Sequence, residues 1–199
     1  MTLPDQMTQI EITRFGGPEV LEPRLAPVPR PGPGEILVKV VAAGVNRPDV
    51  LQRLGHYKLP PGVSSIPGLE IAGHVVALGE AVTAFRIGEA VCALTNGGGY
   101  AQYCVMPAGQ ALPVPPGVDM VHAAAIPETF FTVWANLFDL GGARAGMTAL
   151  IHGGSSGIGT TALMLCREFG IAAFATAGSE DKCSAIRDLG GVAINYRQA

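Results

Sequence analysis

The sequence predicts an α/β protein in two parts. A small β-barrel domain occupies residues 1–125, and the first part of a doubly wound parallel sheet follows over residues 126–199. Three observations lead there. Most of the 16 prolines precede Pro127 and none follows it, so a loop-rich half gives way to one able to sustain helices. Short strands separated by glycine and proline fill the first part, the punctuation of a small, partly open barrel. In the second part an apolar run, a glycine-rich turn, a helical pattern and another apolar run succeed one another as a βαβ unit.

Taken in order, Gln9-Ile10-Glu11-Ile12-Thr13 alternates polar and apolar like a half-buried strand. Gly16-Gly17-Pro18 turns the chain. Residues Pro27 to Gly34 read as an extended connector, because proline has no N–H to give a sheet or helix. Glu35 to Ala42 is the strongest strand signal. Gly44-Val45-Asn46-Arg47-Pro48-Asp49 leads into a short helical piece, Val50 to Leu54, ended by Gly55. A proline-rich loop, Leu59 to Pro67, precedes another strand between Gly68 and Gly79. Further strands are expected near Val91 and over Tyr100 to Val105.

The second part opens its βαβ unit with Thr148 to His152 and turns through Gly153, Gly154, Gly157 and Gly159. A helix then runs to Gly170, and a second strand spans Ala172 to Ala177. Such a turn brings backbone N–H groups close to a pyrophosphate, whose charge the positive end of the helix dipole favours. The residues that would bind it are Gly154, Ser155, Ser156, Gly157, Ile158 and Gly159. Their spacing is G-x-x-G-x-G rather than the commoner G-x-G-x-x-G; the context of strand, helix and second strand carries the reading.

Composition excludes several classes. Net charge is only −3 with both signs dispersed, so neither nucleic acid nor an anionic membrane is an expected partner. No apolar run approaches the roughly 20 residues of a membrane helix, and Met1 to Met7 has neither the basic cluster nor the apolar core of a secretory signal. Cys92, Cys104, Cys166 and Cys183 are scattered, with no C-x-x-C pair. Free thiols in a reducing cytoplasm are expected.

Six motifs follow one another: G-V-N-R-x-D, P-G-x-E-x-x-G, G-x-x-V-x-x-F-x-x-G-x-x-V, G-G-x-A-Q-Y, I-P-E-T-x-x-T and H-G-G-S-S-G-I-G-T. In that order they resemble the medium-chain dehydrogenase/reductase superfamily, and within it the zinc-independent NADPH:quinone oxidoreductase (zeta-crystallin-like) branch. The resemblance implies a GroES-like barrel domain, a Rossmann domain, and an active site in the cleft between them. It places Asn46 and Asp49 on a loop facing the nicotinamide, Tyr57 near the substrate, Thr132 near the nicotinamide and ribose, and Tyr196 near the adenosine phosphate. Asn46 and Thr132 suit helix caps equally well, Tyr57 suits a rim aromatic, and Asp49 suits a first-turn acid.

Zinc enzymes of the superfamily resemble this layout but place Cys at the position of Asn46 and His at that of Leu69. Asparagine and leucine cannot replace a thiolate and an imidazole, and His56, His74, His122 and His152 are dispersed; no metal is expected. Hydride addition to a quinone or enone is the less demanding chemistry without a Lewis acid, because the developing charge is delocalised.

In an NAD site an acid ends the second strand, about 20 residues past the glycine turn. Here the strand ends Ala177-Gly178-Ser179, and Lys182 lies one helical turn on, so Ser179 and Lys182 form a candidate clamp for the 2′-phosphate of NADPH. Glu180 and Asp181 are the competing reading: either first-turn acids of the next helix or the NAD-type acid.

The leading expectation is an NADPH-dependent quinone or enone reductase. An enoyl-thioester reductase of the same superfamily, or a non-catalytic nucleotide-binding, crystallin-like protein, is the alternative. The resemblance implies further strands beyond Ala199 and a homodimer at full length, so the 199-residue chain is expected to be a fragment or truncated product with reduced or no activity alone.

Overall fold

The computed structural model describes residues 3–198; Met1, Thr2 and Ala199 lie outside it. The chain divides into two compact units, Met1–Glu128 and Thr129–Ala199. The division falls three residues beyond the expected 125/126. Glu128 is tied back to the first unit, since its backbone N–H donates to Glu70 Oε2 at 2.9 Å.

In the first unit, β1 (Gln6–Ile12) pairs antiparallel with β2 (Leu21–Pro27). β2 was not anticipated; it lies between the Gly16-Gly17-Pro18 turn and the connector, and shares only Pro27 with the latter. It carries Pro23 and Pro27, which a strand tolerates only where its N–H edge is unpaired, and β1 is its sole strand partner among the described residues. Next come β3 (Glu35–Ala43), α1 (Arg47–Arg53), β4 (Glu70–Leu78), β5 (Ala90–Leu94), β6 (Tyr103–Pro107) and β7 (Ala111–Pro113). The five later strands form one antiparallel sheet in the order β6-β3-β4-β5-β7.

β3 and β4 sit at its centre, which accounts for their near-continuous apolar runs. Ile36, Val38, Ile71 and Val75 are fully buried and pack with Phe85, Val91 and Met106. Ala72 and Cys92 form a separate small cluster with Ala123 and Ala124, at and just after α2 (Met120–Ala123). α1 begins at Arg47 rather than Val50, because Pro48 in the first turn is already preset for helical φ.

The second unit contains most of α3 (Pro127–Val133), continued by a π-helical stretch over Trp134–Leu140. The βαβ unit follows as β8 (Thr148–Ile151), α4 (Gly157–Glu168) and β9 (Ala172–Ala177). α5 (Glu180–Asp188) and β10 (Val192–Asn195) extend it. The sheet is parallel, in the order β10-β9-β8. Leu163 and Cys166 of α4 and Cys183 and Ile186 of α5 bury themselves against Ala173 and Ala175 of β9. Trp134, Phe138 and Phe169 pack together with ring centroids 4.7–5.6 Å apart, Trp134 stacked on Phe138 and edge-on to Phe169. The expected pairing of an antiparallel β unit with a Rossmann-like parallel sheet is therefore present. Among the described residues no helix is long and apolar enough to cross a membrane.

Candidate functional site

In the second unit the glycine turn is clipped to β9. Gly153 N–H donates to Thr176 Oγ1 at 3.2 Å and Gly154 N–H to the Thr176 carbonyl at 2.9 Å. Ser156 is the N-cap of α4, and its Oγ accepts from Gly159 N–H at 3.0 Å. The first amides of a helix have no partner four residues back. With Gly159 satisfied by the cap, those of Gly157 and Ile158 remain for a ligand, on residues that are exposed.

Two glycines are required by close approach. A Cβ on Gly159 would stand 2.4 Å from the Gly153 carbonyl, and one on Gly154 would stand 2.6 Å from the Ala175 Cβ. The structure thus brings Gly154, Ser155, Ser156, Gly157, Ile158 and Gly159 together at one strand-to-helix bend.

A second corner lies at the end of β9. A side chain on Gly178 would come within 2.5 Å of the Tyr196 hydroxyl and 3.5 Å of Arg197 Nε, so both groups lie over the backbone just before Ser179. Ser179 is the N-cap residue of α5 but makes no side-chain cap bond, and Lys182 is exposed in the first turn. Glu180, the acid that the sequence left ambiguous, is paired with Arg187 further along α5. Its charge is directed along the helix. Arg197 was missed, although it directly follows a tyrosine already singled out.

In the first unit the candidate residues belong to a buried polar network. Asn46 caps α1, its backbone N–H donating to Asp49 Oδ2 at 2.8 Å and its Nδ2 to Glu70 Oε1 at 2.8 Å. Asp49 also accepts from Gly68 N–H at 3.0 Å and from the Tyr100 hydroxyl at 3.1 Å. Thr95 Oγ1 donates to the Gly68 carbonyl at 2.8 Å. Asp49 is therefore both a first-turn acid and the hub joining α1 to the loop before β4.

Burial pushes the Glu70 carboxyl above its ordinary pKa despite donors from Asn46 and Glu128, and Asp49 adds repulsion. Glu128 is raised by burial, then by the charges of Glu70 and Asp49. Tyr100 is raised as well, by burial and then by Asp49. Beside this network lies a cavity of about 240 Å³ whose wall includes Tyr57, Leu69, Thr95, Asn96 and Glu128.

Tyr57 therefore lines a cavity, while Asn46 is held one layer away on Glu70. Thr132 lies half-buried in α3, its carbonyl accepting from Asn136 Nδ2 at 2.8 Å. Glu70, Tyr100 and Glu128 escaped the sequence reading. The available signal was a single acid, Glu70, heading the run Ile71 to Leu78, which is apolar but for His74. Among the described residues no group of three or more His, Cys, Asp or Glu is placed to hold a metal ion.

Residues 32–116 match the alcohol dehydrogenase GroES-like domain. The chain is 35% identical over 196 residues to a quinone oxidoreductase of Rattus norvegicus, a match covering 97% of this chain and 60% of that protein. Its fold matches that of a Pseudomonas syringae quinone oxidoreductase with a TM-score of 0.85 at 30% identity, over 97% of this chain and 60% of the other. A mycobacterial protein solved in complex with NADPH gives a TM-score of 0.83 at 32% identity, over 96% and 59%. The chain thus spans about three fifths of the length of the relatives it matches. With six motifs in order, a GroES-like first unit and a Rossmann-like second one, the chain is similar to quinone oxidoreductases of the medium-chain dehydrogenase/reductase superfamily.

Proposed function

We propose that the chain forms part of an NADPH-dependent oxidoreductase that passes a hydride to a quinone or other conjugated carbonyl acceptor without zinc. The observation that carries the reading is the bend from Gly153 to Gly159. Its cap satisfies Gly159 N–H and leaves the Gly157 and Ile158 amides for a diphosphate. The residues present fit the nucleotide. Gly154 and Gly159 keep the bend thin enough for close approach, and the withdrawal of Glu180 toward Arg187 removes the charge most adverse to a 2′-phosphate. Ser179, Lys182, Tyr196 and Arg197 supply hydroxyls and positive charge at that corner.

When bound, the reduced nicotinamide supplies the hydride, and the protein supplies position and electrostatics. Tyr57 offers its hydroxyl group to the acceptor's carbonyl oxygen from the wall of the 240 Å³ cavity. Asn46 and Thr132 orient the nicotinamide end. Asn46 Nδ2 is itself held by Glu70, which fixes the direction of its amide.

The test is a titration with NADPH and NADH of the protein extended to the length of its relatives, followed by NADPH oxidation with a small ortho-quinone and, separately, an enoyl thioester. NADPH is expected to bind at least about 10-fold more tightly than NADH, and Lys182→Ala to erase most of that margin. Turnover of the quinone alone selects the proposed acceptor class. Turnover of the thioester alone, or binding with no turnover, replaces it. Failure of both nucleotides to bind at saturating concentration overturns the reading.

A further inference from the structure

We propose that Asn96 sets the size of acceptor this site takes: its side chain is the partition between the 240 Å³ cavity and a second cavity beside it. This inference rests on the oxidoreductase reading above. The second cavity, of about 340 Å³, lies within the same unit, and its wall includes Met7, Ser64, Ile66, Gly98 and Cys104. Asn96 is the one residue common to the two walls. The loop before β4 is divided between them: Pro60 and Val63 line the first cavity, and Gly62, Ser64 and Ile66 line the second. A strip made of that loop and Asn96 therefore separates the two spaces.

The backbone of the strip is laced down. Ser64 N–H donates to the Asn96 carbonyl at 3.3 Å, Gly98 N–H to the Ile66 carbonyl at 2.7 Å and Thr95 N–H to the Leu69 carbonyl at 2.7 Å. Thr95 Oγ1 is committed to the Gly68 carbonyl. Gly97 has a φ of +77°, and a Cβ on it would stand 2.7 Å from the Ser64 carbonyl oxygen, so the two segments meet backbone to backbone. The Asn96 side chain is the exception. It is exposed and makes no hydrogen bond to another of the described residues. It contributes bulk at a fixed place, and shortening it forfeits no bond and leaves the clasp intact.

Pockets that enclose drug-sized ligands run to about 300–1,000 Å³. At about 240 Å³ the first cavity falls below that range and suits a compact carbonyl compound without a long substituent. Joined to the second cavity it falls inside the range, and Met7, Ile66 and Val105 would give an alkyl substituent apolar cover there. One methylene more or less in an apolar pocket changes selectivity about 10- to 200-fold, so a partition of this kind decides between acceptors that share one reactive ring.

Two measurements test this. In the first, NADPH oxidation by the protein extended to the length of its relatives is followed with para-benzoquinones bearing a methyl, butyl or decyl substituent. In the parent, kcat/KM is expected to fall as the substituent lengthens. Asn96→Ala is expected to raise the decyl-to-methyl ratio of kcat/KM about 10-fold or more, and Asn96→Leu, of similar bulk, to keep the parent ratio. No fall in the parent, an unchanged ratio in Asn96→Ala, or the same relaxation in Asn96→Leu overturns the proposal. The second measurement needs no turnover: para-cresol and para-butylphenol, which accept no hydride, are titrated into the nucleotide-free protein and followed by NMR. Asn96→Ala is expected to strengthen the butyl compound relative to the cresol about 10-fold, and equal ratios in parent and Asn96→Ala overturn the proposal. A parent that oxidises no NADPH counts instead against the oxidoreductase reading, and the phenol titration still decides whether Asn96 is a partition.

Discussion

Replacing Gly159 with alanine tests the bend that carries the nucleotide reading, because its partners are backbone atoms. The new methyl group would stand 2.4 Å from the Gly153 carbonyl oxygen and 2.6 Å from the Gly154 Cα. Ordinary contacts begin about 1 Å farther out, and no flexible side chain stands there to yield. Either the first turn of α4 lifts from the bend, losing the Ser156 cap on Gly159 N–H, or the bend itself shifts. Overpacking costs about 1–3 kcal/mol and loss of a cap about 1 kcal/mol, so about 3 kcal/mol is expected for the second unit.

Gly157→Ala is the control. Its Cβ would meet Thr129 Cγ2 at 3.4 Å, ordinary contact, and neither glycine has positive φ. Alanine at 157 should leave stability unchanged or raise it by a few tenths of a kcal/mol through helix propensity. Urea unfolding followed by circular dichroism, with NADPH titration on the same samples, separates the two. Gly159→Ala should lower the midpoint and weaken NADPH by at least about 10-fold, and Gly157→Ala should keep the midpoint. Equal midpoints for the two variants would refute the close-approach argument.

Other outcomes are expected. Asp49→Asn turns an amide donor toward one of three existing donors, so it should cost about 1–3 kcal/mol in thermal or chemical unfolding. Cys92, Cys104, Cys166 and Cys183 are all buried. Burial pushes the thiols of Cys92 and Cys166 up and that of Cys104 to about 12. A colourimetric thiol reagent at about pH 8 should therefore react slowly with the native chain and quickly after denaturation. Glu70 and Glu128 have folded pKa values raised above their unfolded ones. Their contribution is fully present below the unfolded value of about 4.3 and is lost as pH rises through the folded values. Urea midpoints should show that loss in the parent and less of it in Glu128→Gln. Asp119 behaves oppositely: the His122 donors hold its carboxyl below the ordinary range. Its contribution is present above the unfolded value of about 3.9 and disappears as pH falls through the folded one, so Asp119→Asn should weaken that acid limb.

How much of the molecule was legible depends on how far apart in sequence the deciding groups lie. The βαβ unit was readable because each of its signals is local: apolar runs, a glycine cluster and a capping serine within a few residues of one another. β3 and β4, buried at the centre of their sheet, announce themselves as apolar runs for the same reason. β2 did not, since an exposed edge strand containing Pro23 and Pro27 has the composition of a connector and is defined only by its partner β1. β7, three residues ending in Pro113, is set likewise by pairing with β5.

The candidate site divides in the same way. The bend residues are contiguous, and Asn46, Tyr57, Thr132 and Tyr196 came from motif order rather than from any property of their neighbours. The network behind them is held by contacts 24, 51 and 58 residues apart: Asn46 to Glu70, Asp49 to Tyr100, and Glu70 to Glu128. No periodicity of 2 or 3.6 residues encodes such pairs. A lone acid at the head of an apolar strand nevertheless demands a partner, because an unpaired buried charge costs several kcal/mol. Glu70 poses that requirement from sequence alone; only the fold reveals that Asn46 and the Glu128 amide meet it.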